Sequence, residues 1–177
     1  ITASSGESKS SLFTGGNFSK WQNVTVEAVP DDGVVNGSRV NASSPINISN
    51  LPPNVFSTAN LVLNTTSANN RTADNLTFYN LTAATDGDAD STVLKLKWFN
   101  QSVVHQSLEN ATMITSGNTT KGQAWIVEVS SWDGANYSTA TNTSSLTILN
   151  TPPVAPTGGN LVINSTTALN LSTDDLF

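Results

Sequence analysis

Apolar residues in this chain recur at every second position, not every third or fourth, which predicts strands and not helices. In "VLKLKW" (93–98), Leu94, Leu96 and Trp98 share one face while Lys95 and Lys97 share the other. In "WIVEV" (125–129), Trp125, Val127 and Val129 oppose Ile126 and Glu128. In "VTVEA" (24–28), Val24, Val26 and Ala28 oppose Thr25 and Glu27, so an inward face is expected there too. Other strand candidates are 60–64, 75–80, 111–115, 145–149 and 160–164. Asp32–Gly33, Asp86–Gly87, Gly117–Asn118 and Asp133–Gly134 supply turn chemistry between them. About seven short strands per hundred residues predict an all-β, two-sheet sandwich.

The strand pattern repeats. "LPPNVFSTANLVLNTTSANNRTADNLT" from Leu51 lies over "TPPVAPTGGNLVINSTTALNLSTDDLF" from Thr151, with 11 of 27 positions identical at an offset of 100. "VTVEAVPDDG" (24–33) lies over "WIVEVSSWDG" (125–134) at offset 101, and "SSPINISNLPP" (43–53) over "TSSLTILNTPP" (143–153) at offset 100. The expected organisation is therefore residues 1–50 as the C-terminal part of one repeat, 51–150 as a complete repeat, and 151–177 as the first strands of a following one. Pro52–Pro53 and Pro152–Pro153 mark the junctions, because proline fixes φ and has no N–H to offer a strand ladder.

"LKLKWFN" resembles the third strand of an immunoglobulin-like domain, with Trp98 at the buried tryptophan position. "WIVEV" resembles the strand where immunoglobulins carry Tyr-X-Cys, with Trp125 and Val127 in those places. There is no cysteine, so the likeness is to cadherin-like, fibronectin-III-like and related repeats. The run from Lys121 to Pro156 resembles tandem immunoglobulin-like repeats of large prokaryotic, including archaeal, cell-surface and filament glycoproteins. That resemblance implies tandem immunoglobulin-like sandwiches of about 100 residues without disulfides. It specifies architecture far better than function.

Composition narrows the function classes. Only 11% of residues are charged and the net charge is −6. The seven basic residues are scattered, which argues against nucleic acid as a partner. No apolar run approaches the roughly 18–20 residues of a transmembrane segment. No signal-peptide pattern is visible, and a start at Ile1 fits a processed chain or an excised piece.

Asparagine, serine and threonine fill the space left by charge. The triplet Asn-X-Ser/Thr, the N-glycan acceptor of exported proteins, occurs 16 times. The acceptors are Asn17, Asn23, Asn36, Asn41, Asn47, Asn64, Asn70, Asn75, Asn80, Asn100, Asn110, Asn118, Asn136, Asn142, Asn164 and Asn170. The chain holds 22 Asn, and 47 of its 177 residues are Ser or Thr, which by chance gives about six such triplets. The bland alternative is that these residues are simply common in turns and on strand surfaces. Strand phase sets Asn23, Asn47 and Asn75 opposite apolar neighbours, so their side chains are expected to face solvent. Neutral glycans would supply solvation without ionisable groups, which suits an acidic habitat where carboxylates near pH 4 lose their charge.

Catalytic chemistry is weakly represented. The single histidine, His105, has no nucleophile motif beside it and reads as a surface or edge-strand residue. Glu27 and Glu128 occupy equivalent repeat positions, which suggests structure and not a glycosidase pair. No enzyme activity is expected. "DGDAD" is the strongest site candidate: Asp86, Asp88 and Asp90 alternate, and a curled loop converges hard oxygens as calcium prefers. Asp74 or Asp174 are candidates to complete such a site; the alternative is a solvated turn. No cofactor is required, and calcium is the one ion suggested. Trp132, in "SSWDG", reads as a plug for a loop or a domain contact, with sugar stacking as the alternative.

The expected function is a structural subunit of an extracellular glycosylated filament or surface layer. It would partner copies of itself end to end and carry covalent N-glycans, with donor-strand exchange as one means of joining. The alternative is a cell-surface adhesin or carbohydrate-binding module, which would need a concave aromatic face in a chain only 7% aromatic.

Overall fold

The computed structural model describes residues 12, 14–160, 162–169, 171–173 and 175–176. The chain is all-β; among these residues there is no α-helix, only single 3-10 turns between short strands. Two sheets make up residues 51–150. One joins β5 (Leu61–Thr65), β6 (Leu76–Asn80) and β9 (Met113–Ile114) in the order β5-β6-β9. The other is built on β7 (Val93–Asn100) and β10 (Ala124–Trp132). β8 (Val103–Val104) flanks β7, and β11 (Thr141–Asn142) and β12 (Leu146–Thr147) flank β10. Every pairing between these strands is antiparallel.

The alternation read from the sequence sets the core. β7 and β10 pair over eight residues, with Val127 opposite Trp98 and Val129 opposite Leu96. Side chains alternate across a strand, so Leu96, Trp98, Trp125, Val127 and Val129 all turn to one face and are buried. Leu61, Leu76, Phe78 and Ile114 of the first sheet join them in a single apolar cluster. The two sheets thus share one core. Trp98 meets Trp125 edge to face with ring centres 6.3 Å apart. Its indole N–H donates to the Ala111 carbonyl at 2.8 Å, which pairs the one polar atom this ring brings inside.

Residues 12–50 form a hairpin of two short pairings. β1 (Asn23–Val24) meets β4 (Ile46–Asn47), and β2 (Glu27–Ala28) meets β3 (Val40–Asn41). Its hydrogen bonds copy those of β10 with β11 and β12. Asn23 opposite Asn47 matches Ala124 opposite Thr147, and Glu27 opposite Asn41 matches Glu128 opposite Asn142. The Ile48 N–H donates to the Gln22 carbonyl as that of Ile148 does to Gln123, both at 2.8 Å. The tip repeats as well: Asp32 accepts from the N–H groups of Val34 and Val35, and Asp133 from those of Ala135 and Asn136.

Burial differs between the two hairpins. Val127 and Leu146 are buried, whereas Val26 and Ile46, at the equivalent positions, are 67% and 68% exposed. The inward face expected for 24–28 is therefore largely uncovered: only Val24 is half-buried, and Ala28 is exposed. The cause is the neighbour and not the sequence pattern. β10 has β7 on its other edge and a second sheet across from it, while among the described residues β1 and β2 pair only with β4 and β3. Of the expected strand 160–164, Leu161 lies outside the described residues and 162–164 form no ladder. The Ser165–Leu176 bridge still copies the Thr65–Leu76 pair of β5 and β6.

Candidate functional site

Two sets of residues are candidates: the glycan acceptors and an acidic cluster at the junction near Leu51. Among the acceptors, Asn17, Asn23, Asn36, Asn41, Asn47, Asn110, Asn118, Asn136, Asn142 and Asn164 are exposed. Asn64, Asn70, Asn75, Asn80 and Asn100 are half-buried, and Asn170 lies outside the described residues. Asn75 follows the expected strand phase: Leu76 and Phe78 are buried while its own amide oxygen accepts from the Ser116 N–H at 2.9 Å. Asn17 and Asn118 are equivalent in the repeat and adopt the same local bond, each amide nitrogen reaching the threonine hydroxyl three residues before it. Several acceptors sit at turns, where side-chain amides bond locally; Asn70 and Asn110 have φ of 56° and 60°.

The acidic cluster differs from the set of alternating aspartates. The structure brings one carboxylate oxygen each of Asp86, Asp90 and Asp133 within 4.8 Å of one another. Asp88 is turned away to accept from the Leu51 N–H at 2.7 Å. Asp133 stands 43 residues from Asp90 and arrives on the tip of the β10–β11 hairpin, which spacing along the chain does not reveal. The 86–90 loop curls because the Asp86 Oδ1 accepts from the N–H groups of Asp88 and Asp90, with Ala89 at φ 62°. The Asp86 Oδ2 is buried and has no hydrogen-bond partner.

Two groups from the N-terminal hairpin side close this cluster. The Lys20 ammonium pairs with Asp90, and the Asn50 amide nitrogen donates to Asp133 at 2.8 Å. Lys20 holds its proton more tightly than usual, first through the hydrogen bond to Asp90 and then, against some desolvation, through the charges of Asp90, Asp88 and Asp133. Burial alone would raise the Asp133 carboxyl. The Asn136 and Ala135 N–H groups, the Asn50 amide and the Lys20 charge outweigh it and hold the carboxyl below its usual range.

The remaining candidates occupy structural positions. Asp74 accepts from the Ser67 hydroxyl and the Arg71 N–H, a turn bond some distance along the chain from the cluster; Asp174 lies outside the described residues. His105 is half-buried with its ring 5.0 Å from that of Trp125. Glu27 pairs with Arg39 and Glu128 with Lys97, each across its own hairpin or sheet. Trp132 stacks on Tyr137 at 4.4 Å across the hairpin tip, so its face is spent within the loop.

No family model matches the chain, and no similar protein is found among curated proteins or solved structures.

Proposed function

We propose that this chain is a structural component of an extracellular filament or surface layer, built of tandem immunoglobulin-like sandwiches and coated with N-glycans. One observation carries the reading. The hairpin at 23–47 repeats the hydrogen-bond register of that at 124–147 yet leaves Val26 and Ile46 bare where Val127 and Leu146 are buried. A sheet face of this kind gains about 25 cal/mol per Å² of apolar area when a further sheet covers it. A linear array follows whether that sheet lies in the same longer polypeptide or is donated by a neighbouring copy.

Further features agree. The strand order, three strands facing β8-β7-β10 and its flank, is the arrangement an immunoglobulin-like sandwich uses. The 15 described acceptor asparagines are all exposed or half-buried, so a bulky sugar on them displaces no core side chain.

Two measurements test the proposal. Intact mass of the native protein is expected to exceed the polypeptide mass by many sugar residues, with glycopeptides mapping to the exposed acceptors. Electron microscopy is expected to show filaments or sheets with a regular axial repeat. A native protein of bare polypeptide mass that stays monomeric when concentrated would refute the reading.

A further inference from the structure

We propose that Asp86, Asp90 and Asp133, with the amide oxygen of Asn50, form a calcium site that locks the N-terminal hairpin to the 51–150 sandwich.

The carboxylates alone would not carry this. Three such groups within 4.8 Å repel one another, and solvated acidic turns are common. Asn50 adds an independent observation. It is only 8% exposed, its amide nitrogen is spent on Leu51 and on Asp133 of the cluster, and its amide oxygen is buried with no partner. The Asp86 Oδ2 is in the same condition. Buried acceptors without donors are costly, and two of them beside a cluster of negative charge call for a cation. Calcium binds carboxylate and amide oxygens at about 2.3–2.6 Å, so ligands on opposite sides of one ion lie about 5 Å apart. The observed spacing fits that sphere. Magnesium demands a tighter, nearly ideal octahedron and keeps its waters, which suits this mixed protein cage less well.

The site spans the junction. Asn50 ends the N-terminal segment just before Pro52–Pro53, while Asp86, Asp90 and Asp133 belong to the sandwich. Lys20, on Asp90, is the built-in competitor: its single charge partly neutralises the cluster, and a divalent ion would displace it. Asp32, the repeat equivalent of Asp133, caps the same kind of turn with no comparable acidic loop against it. It therefore serves as a control for turn loss without ligand loss.

The test is calcium titration of the EDTA-treated 177-residue chain by calorimetry, with terbium luminescence sensitised through the tryptophans as a second readout. One ion is expected to bind, with Kd of about 10⁻⁴–10⁻³ M as in extracellular calcium modules, and to raise Tm. Asp133→Asn and Asp86→Asn are each expected to weaken binding at least about tenfold, the loss of one charged ligand. Lys20→Gln should tighten binding, and Asp32→Asn should leave it unchanged. No saturable binding by wild type and Lys20→Gln alike overturns the site. So does binding that survives both cluster variants, or that Asp32→Asn reduces as much as Asp133→Asn. None of these results bears on the glycan mass or the filaments, which test the assembly reading separately.

Discussion

Truncating one valine in each of two equivalent hairpins isolates what the second sheet contributes. Val127 is fully buried opposite Trp98, while Val26 occupies the same repeat position at 67% exposure. Val127→Ala removes two methyl-sized groups from the core. At about 0.8 kcal/mol each for lost transfer, plus a cavity the rigid sheets only partly close, the cost comes to about 2–3 kcal/mol. Val26→Ala removes the same atoms from a site already in water, so less than about 0.5 kcal/mol is expected. The assay is urea unfolding of the dilute 177-residue chain followed by tryptophan fluorescence, since Trp98 and Trp125 are fully buried beside the altered residue. With a urea slope of about 2 kcal/mol per M, the midpoint should fall by about 1 M for Val127→Ala and hardly move for Val26→Ala. Equal losses in the two variants would refute the claim that the N-terminal face is uncovered in the single chain. In assembled material the Val26 variant should become costly, seen as a raised critical concentration for assembly.

Other outcomes follow from the same structure. Trp98→Phe keeps an aromatic ring but leaves the Ala111 carbonyl buried and unpaired, so a loss of about 1–3 kcal/mol is expected by urea unfolding. Asp74 is held below its usual range, chiefly by the Ser67 hydroxyl and then by the Arg71 N–H. Its contribution is therefore full above the unfolded carboxyl range near pH 4 and lost as pH falls through its lower folded value. Thermal melts should be flat from neutral pH to about 4.5 and fall below about 4, and Asp74→Asn should melt lower at pH 7 with a shallower acid decline. If the neutral glycan coat serves an acidic habitat, isolated assemblies should survive at about pH 3; dissociation there but not at pH 7 would count against that idea.

Much of the fold was legible in the sequence because strand alternation is a local property. The two-residue period of 94–98 and 125–129 fixes which side chains share a face, and those are the side chains the core uses. The Asp–Gly turns and the hundred-residue offset are likewise written along the chain, and the hydrogen bonds of the two hairpins follow them. Whether a face is covered is not a local property. Val26 and Val127 sit in the same alternating pattern, and only the presence of β7 and the opposing sheet separates an exposed side chain from a buried one. The acidic cluster depends on tertiary structure for the same reason. Asp86 and Asp90 are neighbours, but Asp133 and Asn50 reach them only when a hairpin tip and an inter-repeat junction fold onto one loop, while the adjacent Asp88 is drawn off by a backbone N–H. The sequence by itself determined period, turns and repeat; contacts between segments dozens of residues apart decided burial and the convergence of charge, because those depend on chain closure and not on the conformation of any one strand.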